Sequence, residues 1–261
     1  MAANIQTADL IAKFYYAYNN KWGYILGTWH TQWTQELQNA KVSYIKNKYG
    51  DKWKNSSSAK KDKYYYAALY GSKWIGHWVT DCSGLFYWAF KELGGYMYHG
   101  SNTMWDKYCT AQGKLNKGAR TDGKELKPGT AVFVLKGSSD RSHVGLYVGN
   151  GKVIEASGTQ AGVIITQITN SKWSEWGELT GVNYGASQPI LTPAPSTVPT
   201  IGSAVVNDIK VALRSAPSTN ASILTRVDKG ERVQVLDKDW TRVSYQGKTG
   251  YMMTKFLNIT K

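Results

Sequence analysis

The chain has 261 residues, of which 42% are hydrophobic, and its 32 Lys and Arg against 18 Asp and Glu give a formal net charge of +14. This length and composition exclude a fibrous repeat and a disordered chain, and they allow one large core or two domains. No run approaches the roughly 18 uncharged apolar residues of a membrane span, and the start, MAANIQTADL, lacks the basic and then apolar order of a secretory signal.

The positive charge is spread along the chain: residues 1–185 hold 22 basic and 13 acidic residues, and residues 201–261 hold ten and five. A basic surface of this kind favours a polyanion, which could be nucleic acid, an anionic membrane or the anionic polymers of a bacterial wall. Because the sequence has no basic helix, no zinc-ligand set and no basic-aromatic RNA motif, we expect no nucleic-acid partner.

Two helical patterns come before the first cysteine. Residues 31–49 carry apolar side chains at helical spacing, with Lys and Gln opposite, which predicts an amphipathic helix. Its apolar face would consist of Trp33, Leu37, Ala40, Tyr44 and Ile45. After a polar connection over residues 54–63, the stretch YYYAALYG, which ends at Gly71, predicts a second short helix.

A third helix is predicted in the stretch TDCSGLFYWAF, which starts at Thr80. Apolar residues recur there at helical spacing until Gly94 and Gly95 end the pattern. These apolar residues are Leu85, Phe86, Ala89, Phe90 and Leu93. Thr80 or Asp81 would cap the helix, so Cys82 would lie in its first turn.

The hydrophobic period changes to two from residue 126 onward. AVFVL at 131–135, HVGLYVG at 143–149 and KVIEAS at 152–157 predict three successive antiparallel strands. Helices followed by such strands indicate an α+β domain.

Residues 186–203 contain four prolines and no charged residue, which predicts an extended linker between a domain at 1–185 and a second at 204–261. The second domain contains short apolar segments such as RVQVL, RVSYQ and GYMM, separated by turn signals such as DKG. This pattern predicts a small β-barrel.

Cys82 is the candidate nucleophile. It is one of two cysteines, and although Cys82 and Cys109 could form one disulfide, a chain of this size does not need it. In the first turn of a helix, unpaired backbone N–H groups and the helix dipole stabilise a thiolate, so we expect the pKa of Cys82 to be lowered. The competing interpretation is a buried structural cysteine, and a nearby base would decide between the two.

His143 is the candidate base among four histidines because it begins a predicted strand. The loop at 149–151 decides which residues of the next strand share its face. A two-residue loop would place Glu155 on the apolar face with Val144, whereas a three-residue loop would place Glu155 diagonally beside His143. We expect the three-residue loop, with Glu155 accepting the imidazole Nδ1–H and stabilising the imidazolium. The competing interpretation is an ordinary exposed charged pair.

DCSGL followed by an aromatic-rich helix, LKPGTAVFV and SHVGLYVGNGKVIEAS together resemble the NlpC-type papain-like cysteine peptidases of bacterial cell walls, over roughly residues 80–185. The resemblance implies a circularly permuted papain-like α+β fold in which Cys82 is the nucleophile, His143 is general base and then general acid, and Glu155 orients His143. It also implies a peptidoglycan substrate, commonly cut between γ-D-glutamate and the diamino acid of the stem peptide. No metal or other cofactor is implied.

The same resemblance suggests three substrate-binding residues. Members usually carry a tyrosine near the oxyanion shortly before the cysteine, and WGYILG offers Tyr24, much farther from Cys82. Residues 29–78 would then be a helical insertion that lines or caps the groove. Asp81 and Ser83 match positions that bind the free amine of the stem peptide in relatives, although Asp81 could be only a helix cap.

The third catalytic residue departs from the family, in which histidine is more common than the Glu155 found here. An acidic residue is common in the related CHAP enzymes, so the alternative is an N-acetylmuramoyl-L-alanine amidase or a cross-bridge endopeptidase. An alternative of another class is a non-catalytic wall-binding protein, against which the intact Cys82 and His143 argue.

The end of the chain resembles a bacterial SH3 domain, with LRSAPS, KGERVQVL and GKTGYM at the usual landmarks. Such domains bind wall peptides or glycans and raise the effective concentration of a tethered enzyme, so a cell-wall polymer is the expected partner of this domain. We expect a monomer without a membrane span that acts at the bacterial cell wall. It would be either a secreted enzyme or a phage or mobile-element lysin that stays in the cytoplasm until lysis.

Overall fold

The computed structural model describes residues 4–185, 202–214, 223–235, 241–245, 248–252 and 257–260. The chain divides into two compact units, Met1–Gln188 and Pro189–Lys261. Most of the linker predicted at 186–203 lies outside the described residues.

The first unit combines helices with a large antiparallel sheet. Its helices are α1 (Thr7–Asn19), α2 (Gln35–Tyr49), α3 (Ser57–Lys60), α4 (Tyr65–Tyr70), α5 (Cys82–Glu92) and α6 (Ser101–Tyr108). Its strands are β1 (Ile5–Gln6), β2 (Gly23–Tyr24), β3 (Thr31–Gln32), β4 (Trp78–Thr80), β5 (Cys109–Asn116), β6 (Ala119–Arg120), β7 (Ala131–Lys136), β8 (Asp140–Gly149), β9 (Lys152–Gly158), β10 (Gly162–Gln167), β11 (Glu175–Leu179) and β12 (Val182–Asn183). None of the helices in these described segments is long and apolar enough to cross a bilayer.

The main sheet has the strand order β10-β9-β8-β7-β11-β5-β6, and α1 and α5 pack against it. The two helices meet through Phe14 and Phe86, whose rings pack edge to face with centroids 4.7 Å apart. One continuous core joins these helices to the apolar faces of β8 and β9. The predicted α+β fold is therefore confirmed, and α1, which no sequence pattern had indicated, completes its core.

Helix α5 and strands β7 to β9 form where the sequence predicts them. The helix begins at Cys82 and runs to Glu92, and Gly94, with a φ of +75°, follows its last turn. The apolar face predicted for β8 and β9 is buried in the core: Val144, Leu146, Val148, Ile154 and Ala156.

Helix α2 is present, but only part of its predicted apolar face is buried. Ile45 is buried as predicted, whereas Leu37 and Tyr44 are exposed. Gln38, which the pattern did not include, is buried. Gln38 is buried because its amide accepts a hydrogen bond from the Trp33 indole N–H and donates one to a backbone carbonyl of α4. A pattern of apolar residues cannot reveal the buried face of this helix, because that face includes a glutamine whose polar atoms are hydrogen-bonded.

A small three-stranded sheet, in the order β2-β4-β3, leads into the N-terminus of α5. The chain leaves β2, passes through β3 and α2 to α4, and returns in β4, which pairs in parallel with β2. The segment predicted as an insertion, 29–78, occupies most of this excursion. The pairing aligns Tyr24 with Thr80, although the two residues are distant in sequence.

The second unit is an all-β unit with its own core. Its strands are β13 (Gly202–Val206), β14 (Val211–Arg214), β15 (Ile223–Val227), β16 (Arg232–Val235), β17 (Thr241–Tyr245), β18 (Lys248–Met252) and β19 (Leu257–Thr260). They form one sheet in the order β15-β14-β18-β17-β16-β13-β19, with antiparallel pairs. The three strands predicted from RVQVL, RVSYQ and GYMM are all present.

Candidate active site

Cys82 begins α5, directly after the short strand β4. The Asp81 side chain accepts a hydrogen bond from the backbone N–H of Gly84, so Asp81 is the N-cap. The carbonyl of Thr28 lies against this turn and accepts the Asp81 N–H at 2.8 Å. A Cβ at Gly84 would collide with the same carbonyl, which explains physically why glycine follows Ser83 in the motif.

The Cys82 thiol is buried, and the prediction of a lowered pKa is wrong. Burial, with the neighbouring charge of Asp81, raises the pKa of the thiol to about 12, although the backbone N–H groups of Val144, Ser83 and Cys82 act in the opposite direction. The effect of desolvation on the thiol pKa is thus larger than the opposite effect of the helix N-terminus. Because the resting group is a thiol, a base must take its proton before the sulfur can attack.

The β8–β9 hairpin determines the faces on which His143 and Glu155 lie. Away from the turn, Leu146 pairs with Ile154 and Tyr147 pairs with Val153. In this register Glu155 lies on the same face as His143 and diagonal to it, as the sequence predicts.

The turn that produces this register is shorter than predicted. Gly149 pairs with Lys152, which leaves Asn150 and Gly151 as the turn residues, and both have positive φ, 50° and 72°, as a type I′ turn requires. The pairing shifts by one residue between Tyr147 and Gly149. This β-bulge supplies the extra residue, so the predicted faces are observed although the predicted three-residue loop is wrong.

His143 is held by Glu155 through a hydrogen bond of 2.6 Å between imidazole Nε2 and carboxylate Oε2. The sequence predicts this contact at Nδ1, and that detail is wrong. Since the carboxylate is ionised and can only accept, Nε2 donates this hydrogen bond, and in a neutral imidazole Nδ1 is then the acceptor. The next residue, Val144, donates its N–H to the Cys82 sulfur, so the thiol lies against β8 next to the position of His143 in the strand.

Glu155 is fully buried, so it is not part of an ordinary exposed pair. Besides His143, it accepts 2.6 Å hydrogen bonds from the Thr166 hydroxyl and from Lys172 Nζ, which contacts both carboxylate oxygens. Burial alone would raise the pKa of Glu155, but the bonds from His143, Lys172 and Thr166 lower it to about 2. The carboxylate is therefore charged at neutral pH.

Trp173 covers the ring of His143. The two rings stack with centroids 5.7 Å apart and an interplanar angle of 23°. Space for the indole comes from Gly145, where a Cβ would collide with Trp173 and with Val153. Stacking on one face and Glu155 at one edge leave the imidazole little freedom to rotate.

Asp81 and Ser83, the predicted amine-binding residues, are both buried. The Asp81 carboxylate accepts from the N–H groups of Gly27 and Gly84 at 2.7 Å each and from the Ser83 hydroxyl at 3.3 Å. His99 Nε2 lies 2.8 and 2.9 Å from the two carboxylate oxygens, and this contact raises the pKa of His99. Internal donors thus occupy the acceptor sites of Asp81 in this structure.

Tyr24 lies close to Cys82. Burial, with the negative charges that Cys82 and Asp81 can carry, raises the pKa of Tyr24, so its hydroxyl is protonated at neutral pH and can donate a hydrogen bond. Cys109, by contrast, is a second free thiol whose pKa burial and Asp106 raise to about 12. In the segments that the structure describes, no cluster of His, Cys, Asp and Glu could hold a metal ion.

Sequence reasoning missed four residues of this site: Thr166, Lys172, Trp173 and His99. Thr166 lies on β10, Lys172 and Trp173 lie in the connection between β10 and β11, and His99 precedes α6. None belongs to a periodic pattern. The one signal that could have indicated further donors to Glu155 is chemical, since a buried carboxylate needs more hydrogen-bond donors than one imidazole can supply.

A thiol at a helix N-terminus, an imidazole on the adjoining strand and a buried carboxylate that holds the imidazole define a domain of the cysteine-peptidase class. Family comparison is more specific: residues 61–180 match the NlpC/P60 family, and residues 210–258 match the bacterial SH3 domain. These two matches confirm the resemblances that the sequence predicts, in the predicted order along the chain.

Among curated proteins, the chain is similar to murein DD-endopeptidase MepH of Escherichia coli strain K12, with 31% identity over 122 residues. The match covers 43% of this chain and only 37% of MepH. Similar solved structures include the NlpC/p60 domain of the peptidoglycan hydrolase SagA, with 14% identity, a TM-score of 0.38 and coverage of 66% of this chain and 98% of that one. Another is the peptidoglycan hydrolase RipB of Mycobacterium tuberculosis, with 22% identity, a TM-score of 0.30 and coverage of 67% and 81%.

Proposed function

We propose that the protein is a peptidoglycan hydrolase that cleaves an amide bond of the stem peptide by cysteine catalysis. The observation that carries this proposal is the grouping of Cys82, His143 and Glu155 at the junction of α5 and β8. The NlpC/P60 family match and the name of the relative MepH, a murein endopeptidase, support peptidoglycan as the substrate.

The first half of the proposed reaction forms an acyl-enzyme. As Cys82 Sγ attacks the carbonyl carbon, its proton passes to His143 Nδ1, and Glu155 stabilises the imidazolium through Nε2. The Cys82 backbone N–H and the Tyr24 hydroxyl are placed to donate to the oxyanion. The imidazolium then protonates the leaving nitrogen, the carbon–nitrogen bond breaks, and the amine departs.

The second half releases the acyl group. His143 takes a proton from water, and the resulting hydroxide attacks the thioester carbonyl. The carbon–sulfur bond breaks, and the sulfur recovers its proton from the imidazolium. Because burial raises the pKa of the Cys82 thiol, His143 takes the thiol proton in this cycle as the sulfur attacks.

The first candidate for the scissile bond joins γ-D-glutamate to the diamino acid, the bond that NlpC-type enzymes commonly cut. A second candidate is a cross-link bond, favoured by the name of MepH, a DD-endopeptidase. Because His99 and backbone N–H groups already occupy Asp81, a free stem-peptide amine would have to displace His99 to bind there. We therefore expect no strict requirement for that amine, and Asp81 and Ser83 to act mainly by holding the α5 N-terminus.

The SH3 domain would bind a cell-wall polymer and keep the hydrolase near an insoluble substrate. The expected place of action is the bacterial cell wall, reached either by secretion or, for a lysin of the phage type, by release at lysis.

Mass spectrometry of purified peptidoglycan digested by the protein tests this proposal. New amino groups on the diamino acid, paired with new carboxyl groups on D-glutamate, would support the first candidate bond, and products opened at the cross-link would support the second. Release of L-alanine peptides from lactyl-linked muramic acid would indicate an amidase instead. Undigested peptidoglycan would favour a non-catalytic wall-binding protein.

A further inference from the structure

Glu155 serves two cationic partners rather than one. His143 Nε2 approaches Oε2 at 2.6 Å, while Lys172 Nζ lies 2.6 Å from each carboxylate oxygen. The Lys172 side chain is 29% exposed and the Glu155 side chain is fully buried, so the ammonium closes the solvent side of a carboxylate that has no contact with water.

Lys172 is itself held in place. Its ammonium lies 4.5 Å from the ring centroid of Trp173, the residue that stacks on His143. The Thr166 hydroxyl binds Glu155 Oε1 and completes the set of donors. Lys172, Glu155, Trp173 and His143 thus form one connected cluster.

The charges around this cluster are few. Glu155 on β9 faces His143 from β8 and Lys172 from the β10–β11 connection. The Cys82 sulfur on α5 accepts the N–H of Val144, the residue after His143. Elsewhere on the sheet Arg141 is paired with Glu175, and at the N-terminus of α5 Asp81 contacts His99. The electrostatic potential at the His143 ring therefore depends mainly on whether a cation neutralises the charge of Glu155.

The geometry points to Lys172 as a positioning residue that balances the charge of Glu155 and so limits how tightly Glu155 holds a proton on His143. An unbalanced buried carboxylate would favour the imidazolium strongly, and an imidazole that is already protonated cannot take the thiol proton. With Lys172 in place, Glu155 orients the ring without keeping it charged. This inference rests on the proposed catalytic role of Cys82 and His143.

The test is the pH profile of Cys82 alkylation by iodoacetamide, measured in a Cys109→Ser background from about pH 5 to about pH 9. Lys172→Met and Lys172→Gln both remove the charge, and Gln keeps a hydrogen-bond donor. We expect both to move the acidic limb of the profile to higher pH by about 0.5 to 1 unit, which slows alkylation about three- to tenfold on that limb.

Two control variants separate charge balance from other causes. Lys172→Arg keeps the charge and should retain the wild-type profile. Lys152→Met removes an exposed lysine from the strand that carries Glu155 and should also leave the profile unchanged. Superimposable profiles for the wild-type protein and both uncharged variants, or an equal shift in Lys152→Met, would overturn the inference, and so would a lower melting temperature without any shift.

Alkylation needs no peptidoglycan, so this result is independent of the substrate assignment. A protein that fails to digest peptidoglycan but shows the predicted shift would contradict the proposed function and leave the role of Lys172 intact. Normal digestion of peptidoglycan with an unshifted alkylation profile would support the proposed function and contradict the role of Lys172.

Discussion

At the scale of single residues, the charge of Glu155 stabilises the fold. Its pKa is lowered from 4.5 to about 2 in the folded protein by the bonds from His143, Lys172 and Thr166, which outweigh its burial. A depressed pKa means that the charged carboxylate stabilises the fold above about pH 4.5 and that this contribution is lost as the pH falls toward 2.

Replacement of Glu155 by Gln should therefore reduce the free energy of unfolding at neutral pH and have progressively less effect in acid. The amide leaves Lys172 and His143 without a counter-charge at neutral pH, whereas acid neutralises the wild-type carboxylate as well. Denaturant unfolding of both proteins at pH values above and below this window checks the prediction. A difference between the two proteins that stays constant with pH would contradict it.

Gly145 provides a second prediction at this scale. A methyl group there would collide with Trp173 and Val153, so Gly145→Ala should destabilise the protein by about 1 to 3 kcal/mol and displace the indole that stacks on His143. Gly158→Ala is the matched control, because that glycine lies on the neighbouring strand and a Cβ there would meet nothing within 4 Å. Thermal unfolding and hydrolysis rates should separate the two variants, and equal behaviour would argue against the packing role.

The positions of Cys82, His143 and Glu155 in the fold could be predicted because each depends on local rules. A cap residue before a helical pattern places Cys82, and strand alternation across a short hairpin places Glu155 beside His143. Lys172 and His99 could not be predicted, because their contacts depend on how distant segments fold together. The pKa of Cys82 was predicted in the wrong direction for the same reason: burial is a tertiary property, whereas the helix terminus is local.

At the scale of elements, the β8–β9 hairpin shows that the buried face of a strand can be predicted more reliably than the length of a loop. Burial of an apolar face determines which residues must lie together, and the sequence reveals that requirement. A β-bulge and a type I′ turn meet it here as well as a three-residue loop would. The predicted face was therefore correct, although the predicted loop length was wrong.

Helix α2 gives a paired prediction. Gln38→Leu should destabilise the protein by about 1 to 3 kcal/mol, since it leaves the Trp33 indole N–H and the Ala68 carbonyl without their partner. Leu37→Gln should change stability by less than about 0.5 kcal/mol, because Leu37 is exposed. The apolar pattern of the sequence predicts the reverse order, so the melting temperatures of the two variants distinguish the structure from the pattern.

At the scale of the whole molecule, the net charge of +14 bears on where the protein acts. If anionic wall polymers attract it, binding to purified walls should fall as salt rises from about 0.05 to about 0.5 M, because exposed charges are screened. Walls stripped of their anionic polymers are the matched control and should bind less protein, with a weaker dependence on salt. Sedimentation with walls measures both, and salt-independent binding would indicate recognition by uncharged contacts.

The order of domains was also accessible from the sequence, since a proline-rich, uncharged segment separates two regions with different hydrophobic periods. The helix α1 and the outer strands of the main sheet were not, because their patterns are short or mixed. Neither omission affected the placement of Cys82, His143 and Glu155, because these residues lie in the helix and strands with the clearest periodic patterns.

The central claim is that Cys82 is the nucleophile, and the chain offers its own control in the only other cysteine, Cys109. The decisive measurement is the rate at which purified Cys82→Ser and Cys109→Ser proteins release soluble fragments from peptidoglycan. We predict a loss of at least about a thousandfold for Cys82→Ser, because a serine hydroxyl is a far weaker nucleophile in this setting, and a rate close to that of the wild-type protein for Cys109→Ser. Full activity of Cys82→Ser would contradict the account.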